Sequence, residues 1–481
     1  MLAATWGRIP QVRVPAIAQL PWAGRAKNLA ILIALSFSLS ACQNASPVVR
    51  TPGLGEKVDA YLQPFLDAGS FSGAVLIARG GRILHSAAYG FADQDAKTPN
   101  TTRTRFRIAS ISKTFTAAAI LLLQEKGALS VHDPLSRFVP GYPSGEKITI
   151  DHLLTHRTGI PNINNFPGYD RLSESRHMLP EIISFFKDKP LRFEPGSRYE
   201  YSNSNYNLLA WIIERASGLS YGEYLAKNIF RPLGMKATAH ADDDATISGL
   251  ALGYTPEGAW ALRRAPDLNW SIKTGNGSIY STVGDLYRWD RALHDGRILS
   301  RASLQETFRD HGDGIGYPWF LGDRSGRRAA RYNGRSPGYT SYLERYLDDD
   351  SCIIILSNNY APVPHTAIDG LRAILFAEPY APLALDKTFK PDEESLKAFA
   401  GRYRFGRDFY RPNAEAELRL KDGDLEFVWS ETSRSVLRPV APAVFLDRLF
   451  WATVLLQTDA ARNVTGLIWR DTKDYSAARV R

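Results

Sequence analysis

Apolar positions along this chain follow two rhythms, and the changes between them mark its organisation. Residues 56–67 predict a first helix. The runs Ser72-Gly73-Ala74-Val75-Leu76-Ile77-Ala78 and Ile83-Leu84-His85-Ser86-Ala87 flank Arg79-Gly80-Gly81-Arg82, and two β-rich runs around a Gly-Gly turn predict a hairpin. From Phe106 to Glu378 the pattern is mostly helical, over residues 114–125, 204–216 and 284–293 among others. Strands return at residues 337–347 and 352–356, separated by a turn at Asp348-Asp349-Asp350. Strands at both ends with helices between them imply an α+β fold: an antiparallel sheet completed by both ends of the segment, with a helical region to one side.

The rhythm changes again after Pro379-Tyr380-Ala381-Pro382, which reads as a linker. Short strands are predicted at residues 401–405, 417–421, 424–429, 443–446 and 464–469, and Asp422-Gly423 between two of them is a strong hairpin signal. Residues 388–481 therefore read as a small antiparallel β-barrel, and residues 56–380 as the larger domain.

The first 41 residues hold Arg8, Arg13, Arg25 and Lys27 without an acidic residue, then an apolar run from Leu29 to Leu39 broken only by serines. That run is too short to span a bilayer and reads as the core of a signal peptide covering residues 1–41. Its end, Leu39-Ser40-Ala41-Cys42, resembles a bacterial lipobox, which implies cleavage before Cys42 and acylation of that cysteine. Several acyl chains would hold the mature protein to a membrane, each buried methylene adding ~0.8 kcal/mol. Gln43, in place of the aspartate that retains such proteins at the inner membrane, implies outer-membrane attachment facing the periplasm. Residues 42–55 are polar and turn-rich and read as a tether.

The net charge of +9 falls to +5 once the four basic residues of the leader are set aside. The remaining basic residues are scattered, with no nucleic-acid motif, which argues against DNA or RNA as a partner. A small-molecule or peptide substrate is expected instead, and the oligomeric state stays open. The other cysteine, Cys352, lies in an apolar run and reads as a buried small residue, so no disulfide framework is expected.

The chemistry centres on Ser110-Ile111-Ser112-Lys113. A serine and a lysine three apart at a helix start lie on one face, where the amine can take the hydroxyl proton. The pattern is not specific by itself: Ser144-Gly145-Glu146-Lys147 and Ser184-Phe185-Phe186-Lys187 match it equally. Context favours Ser110, because unpaired amides at a helix start can stabilise an oxyanion. Tyr201-Ser202-Asn203, between a turn and a helix, supplies a tyrosine that as tyrosinate, its pKa lowered by nearby ammonium groups, would accept that proton, and an amide to orient Lys113 and the substrate. The bland alternatives are a helix cap at Ser110 and another at Asn203. His152 and His156 lie one helical turn apart without a third ligand and are read as bracing the site from behind; no metal and no cofactor is expected.

The run from Phe106 to Lys113 resembles the serine β-lactamase and penicillin-binding-protein superfamily, in its class C-like branch of esterases and D-aminopeptidases. The stretches Ile148–Pro161 and Gly277–Leu286 extend the resemblance, and the last ninety residues resemble a lipocalin-like domain. The resemblance implies Ser110 as acylated nucleophile, Lys113 as proton acceptor, Tyr201 as general base or shared-proton partner and Asn203 as a substrate-positioning residue. The family's third motif, a cation or histidine, a small residue and a glycine on the strand edging the cleft, is matched by Tyr332-Asn333-Gly334. Lys273-Thr274-Gly275 fits its text but is read as a decoy, since it precedes the Gly-rich loop with no strand after it. Tyr332 thus stands where a cation is usual, with Arg331 or Arg335 as substitutes; Gly334 would let substrate approach, and the amide near Arg335 would join that of Ser110 in an oxyanion hole. The implied activity is acyl-enzyme hydrolysis of an ester or amide, by an esterase, a D-amino-acid peptidase or a β-lactamase. The competing reading is a catalytically silent envelope lipoprotein that binds cell-wall peptides or a protein partner.

Overall fold

The computed structural model describes residues 48–241, 244–257, 261–381, 389–430, 433–471 and 473–480; the leader, Cys42 and the start of the tether lie outside the described residues. Among the described residues no helix is long and apolar enough to cross a membrane.

Helix α1 (Leu54–Asp67) leads into a seven-stranded sheet made of β1 (Val49–Arg50), β2 (Gly73–Arg79), β3 (Arg82–Tyr89), β4 (Phe320–Arg324), β5 (Arg327–Ser336), β6 (Tyr339–Tyr346) and β7 (Ser351–Ser357). Their spatial order is β1-β3-β2-β7-β6-β5-β4, antiparallel throughout. Early and late strands meet mid-sheet, where Ile77 of β2 faces Ile353 of β7. Gly80 and Gly81 take φ of 56° and 72°, the double left-handed conformation that matches a two-residue hairpin to strand twist. β4 and the whole of β5 escaped the hydrophobic pattern, because Arg324, Arg327, Arg328, Arg331 and Arg335 interrupt any regular apolar face.

The helical region between β3 and β4 includes α2 (Ser112–Glu125), with twelve of its fourteen residues buried, and α3 (Asn203–Ser217). On the opposite face lie α1 and α4 (Val363–Phe376). Strand β2 serves both sides: Ala74, Leu76 and Ala78 join the core with the helical region, while Val75 and Ile77 join the core under α1 and α4. A sheet covered on both faces needs apolar residues at successive positions, which accounts for the unbroken runs at 74–78 and 352–356.

The last part of the chain forms a closed antiparallel barrel of eight strands, from Gly401–Phe405 to Asp474–Val480. Five of the eight were legible. Ser433–Ala441 and Asp474–Val480 were not, since proline, arginine and an aspartate dilute their alternation, and Ala452–Thr458 offers only the short apolar run Val454-Leu455-Leu456. Asp422 and Gly423, at φ 51° and 86°, make the expected hairpin. Tyr403, Phe405, Leu418, Phe427, Leu437, Phe445 and Leu467 fill the interior, as eight strands enclose about the volume that side chains can occupy. The loop after Asp447 makes prominent contacts between the barrel and the larger domain. Trp451 packs against Phe65 at 4.9 Å between ring centroids, and buried Arg448 donates to the carbonyls of Gly69 (3.1 Å) and Ala261 (3.2 Å) and to Ser70 Oγ (3.3 Å).

Candidate active site

Ala109–Ile111 form a 3-10 turn that runs into α2, so Ser110 stands just before the helix. Ala109 has a φ of 46°, a region that residues with a Cβ seldom occupy. Packing holds it there: Ala109 is buried, and its methyl lies 3.0 Å from where a Cβ on Gly334 would stand.

Lys113 is fully buried, and three oxygens surround its Nζ: Ser110 Oγ at 3.1 Å, Asn203 Oδ1 at 2.8 Å and the Asn276 carbonyl at 2.7 Å. Burial, and then the charge of nearby Lys273, pushes its pKa well below the ordinary lysine value, because both disfavour the ammonium. A neutral amine has two N–H groups and one lone pair. The two amide oxygens at the shorter distances match the two donors, which leaves the lone pair for the Ser110 hydroxyl proton.

The Tyr201 hydroxyl lies 3.0 Å from Ser110 Oγ and donates to Asn203 Oδ1 at 3.3 Å. The expected lowering of its pKa is not found. Burial pushes Tyr201 up to about 12, and the Ser110 and Tyr332 hydroxyls oppose this only in part. Tyr201 is therefore a phenol that can share or donate a proton, not a tyrosinate base. Behind it the His156 ring packs at 4.5 Å and accepts at Nδ1 from the Ser202 amide at 3.2 Å. Burial, then Lys113, keeps His156 far below the usual histidine range, so it braces the tyrosine as an uncharged ring. Asn203 Nδ2 donates to Asn164 Oδ1 at 2.7 Å, and the Asn203 amide to Asn162 Oδ1 at 3.1 Å; neither partner was legible in the sequence.

Tyr332-Asn333-Gly334 lies within β5, whose pairing sorts its side chains. Tyr332 faces Leu343 and Gly334 faces Ser341; Asn333 faces Tyr342 and Arg335 faces Thr340. Tyr332 and Gly334 point toward Ser110. Tyr332 is buried against Phe320 and Trp319, with its hydroxyl beside that of Tyr201. Gly334 is needed for a different reason than expected: a Cβ there would sit 2.4 Å from both the Ile108 carbonyl and Ser341 Oγ. It admits the turn that carries Ser110. Asn333, Arg335 and Arg331 fall on the opposite face by strand alternation. The Arg335 guanidinium donates to the carbonyls of Tyr360 (3.3 Å) and Leu449 (3.0 Å), so it reaches the barrel and does not replace the missing cation. Since β4 pairs only with residues 327–331, no strand among the described residues lies on the outer edge of the β5 backbone from Tyr332 to Ser336, an arrangement that can receive an extended peptide.

Lys273-Thr274-Gly275 lies outside the strand that carries Tyr332-Asn333-Gly334, but the expectation that no strand follows it is overturned. A short strand does follow it, Ile279–Ser281, paired with Phe106–Arg107. Lys273 is 6% exposed, and its Nζ donates to the Tyr169 hydroxyl at 3.3 Å over the Tyr169 and Trp270 rings. No carboxylate among the described residues pairs with it. Its literal Lys-Thr-Gly text was the available signal. The two competing Ser-x-x-Lys matches are inert: Ser184 Oγ donates to its own helix at the Glu181 carbonyl (2.6 Å), and Lys147 faces Glu194 at 3.7 Å.

Comparison with known proteins agrees with this geometry. The sequence profile of the Beta-lactamase family matches residues 58–378. Penicillin-binding protein 4* of Bacillus subtilis (strain 168) is 33% identical over 441 residues, 85% of this chain and 95% of that protein. The D-amino acid amidase from Ochrobactrum anthropi SV3, complexed with D-phenylalanine, is 26% identical with a TM-score of 0.59 over 67% of this chain and 99% of its own. The octameric penicillin-binding protein homologue from Pyrococcus abyssi shares the fold over 89% of this chain and 98% of its own, with a TM-score of 0.62 and 24% identity. By profile, by relatives and by fold, the chain belongs to the beta-lactamase family.

Proposed function

We propose that the protein is a serine hydrolase that forms an acyl-enzyme at Ser110 from an ester or amide. The observation that carries this is the Lys113 environment, two amide oxygens for two N–H groups and a lone pair facing Ser110. As Ser110 Oγ attacks the carbonyl carbon, Lys113 takes the hydroxyl proton and the neutral Tyr201 donates to the leaving group. Tyr201 regains its proton from Lys113; water then attacks the acyl carbonyl carbon, giving a proton to Lys113, and as the bond to Ser110 Oγ breaks that proton returns to Ser110 and the acid leaves. The Ser110 amide and one from the β5 backbone near Arg335 would hold the oxyanion.

Tyr332 in place of the usual cation favours an esterase or D-amino-acid peptidase over an efficient β-lactamase. Lys273 supplies a buried positive charge from another wall of the site, which suits a substrate with an anionic group. Labelling with a fluorophosphonate and with a fluorescent penicillin tests the reading: wild type labels and Ser110→Ala does not. Absence of wild-type labelling, or labelling that survives Ser110→Ala, would return the protein to the silent-binder reading. We also propose that Cys42 carries the lipid that tethers the protein to the cell envelope, at the outer membrane facing the periplasm. Intact mass of the mature protein tests this; an unmodified chain beginning before Cys42 would rule it out.

A further inference from the structure

A cavity of about 600 Å³ opens on the face of the sheet away from Ser110, where the barrel meets α4. Its size is that of a small-molecule site. The barrel supplies an aromatic wall: Trp429 and Trp469 meet at 72° with centroids 5.7 Å apart, and Phe409 stacks on Trp429 at 5.5 Å. The sheet supplies Arg335, which lines the cavity beside His365.

The charges around this cavity are unevenly committed. Asp369 pairs with Arg372 at 2.7 Å. Asp471 accepts from the Tyr410 hydroxyl at 2.8 Å and from Trp469 Nε1 at 3.2 Å. Asp447, whose charge acts on Arg335, accepts from Ser435 Oγ (2.5 Å) and from the amides of Leu449 (2.8 Å) and Phe450 (3.1 Å). Arg335 has hydrogen bonds to two neutral carbonyls and the Tyr360 ring 4.0 Å below its guanidinium carbon; no carboxylate among the described residues hydrogen-bonds to it, and Asp447 acts on it only through space. Carbonyls satisfy the donors without neutralising the charge, and a guanidinium cannot shed its proton. A largely desolvated cation of this kind favours an incoming anion, with which it can form a bidentate pair.

We propose that this cavity binds a small organic anion, its ring system against Trp429 and Trp469 and its carboxylate or phosphate on Arg335. The site is separate from the Ser110 chemistry, yet Arg335 adjoins Gly334, so occupancy bears on the strand that runs beside the nucleophile.

Isothermal titration of the mature protein with 2-naphthoate, 2-naphthyl phosphate and neutral 2-naphthamide tests the proposal. At least one anion should bind one-to-one with wild type, and equally with Ser110→Ala; comparison of the two anions identifies the preferred head group. The neutral amide should bind about tenfold or more weakly, and Arg335→Met should lose the same factor for the anion, as removal of a desolvated charge partner does. Arg335→Lys, which keeps the charge and protects against failure of the methionine variant to fold, should retain the preference for anion over amide. No saturable binding of either anion up to about 5 mM, equal binding of the amide, or loss of binding in Ser110→Ala would overturn the proposal.

Discussion

The two faces of β5 hold cations in opposite ways. On the Ser110 face, Lys113 sits among acceptors that suit an uncharged amine, and burial with Lys273 drives its pKa down. On the barrel face, Arg335 and Arg448 sit among backbone carbonyls and join two parts of the chain. The difference is one of side-chain chemistry. A lysine can lose its proton when desolvated and so becomes a base, whereas an arginine keeps its charge and offers a rigid fan of donors. Burial therefore makes chemistry on one face and adhesion on the other, along a single strand whose alternate residues serve both.

Exchanging the two kinds of cation should break the comparison most severely. Lys113→Arg keeps a charge but removes the base, and kcat/KM should fall at least roughly a thousandfold, within the range for loss of general-base catalysis; near-normal turnover would mean that Lys113 only positions Ser110. Tyr201→Phe leaves that base intact and removes the shared proton, with an expected loss of about a hundredfold in kcat. An unchanged rate would assign protonation of the leaving group elsewhere.

On the other face, Arg448→Met deletes the donors to Gly69, Ser70 and Ala261 and should lower stability by about 2 kcal/mol, since hydrogen bonds from a buried charged donor are lost, the one to the buried Ser70 hydroxyl among them. Urea unfolding would read this. A first transition for the barrel separated from the rest would sharpen the adhesive role, and an unaltered midpoint would deny it.

The smallest effect concerns pH. Burial, then Arg335, pushes the His365 pKa down from 6.5 to about 4. The native state therefore binds fewer protons than the unfolded chain in that window, and stability rises with pH there. His365 contributes stability that is present above about pH 6.5 and lost as pH falls towards 4, with a slope of about 1.4 kcal/mol per pH unit at most. His365→Gln should flatten that part of the profile; an unchanged slope would mean that His365 does not contribute to it.

Much of this was written into the chain order. The hairpin at Gly80-Gly81, the continuous runs of a sheet buried on both faces, the hairpin at Asp422-Gly423 and the Ser110-Lys113 and Tyr201-Asn203 motifs all depend on neighbours a few residues apart, and local spacing expresses such features directly. What lay far apart in sequence was not legible. Asn164 and Asn276 reach Asn203 and Lys113 across 39 and 163 residues, and nothing local to either marks it.

The sequence by itself determined the fold class, many of the elements, the family resemblance and the choice of Ser110 as the candidate nucleophile, because helix spacing, turn chemistry and short motifs are local. The tertiary structure alone decided the rest: that burial raises the Tyr201 pKa, that Lys273 lies close enough to Lys113 to disfavour its charge, and that Arg335 turns toward the barrel. Each of these depends on burial or on which face of a strand meets which partner, and those are properties of packing between distant segments.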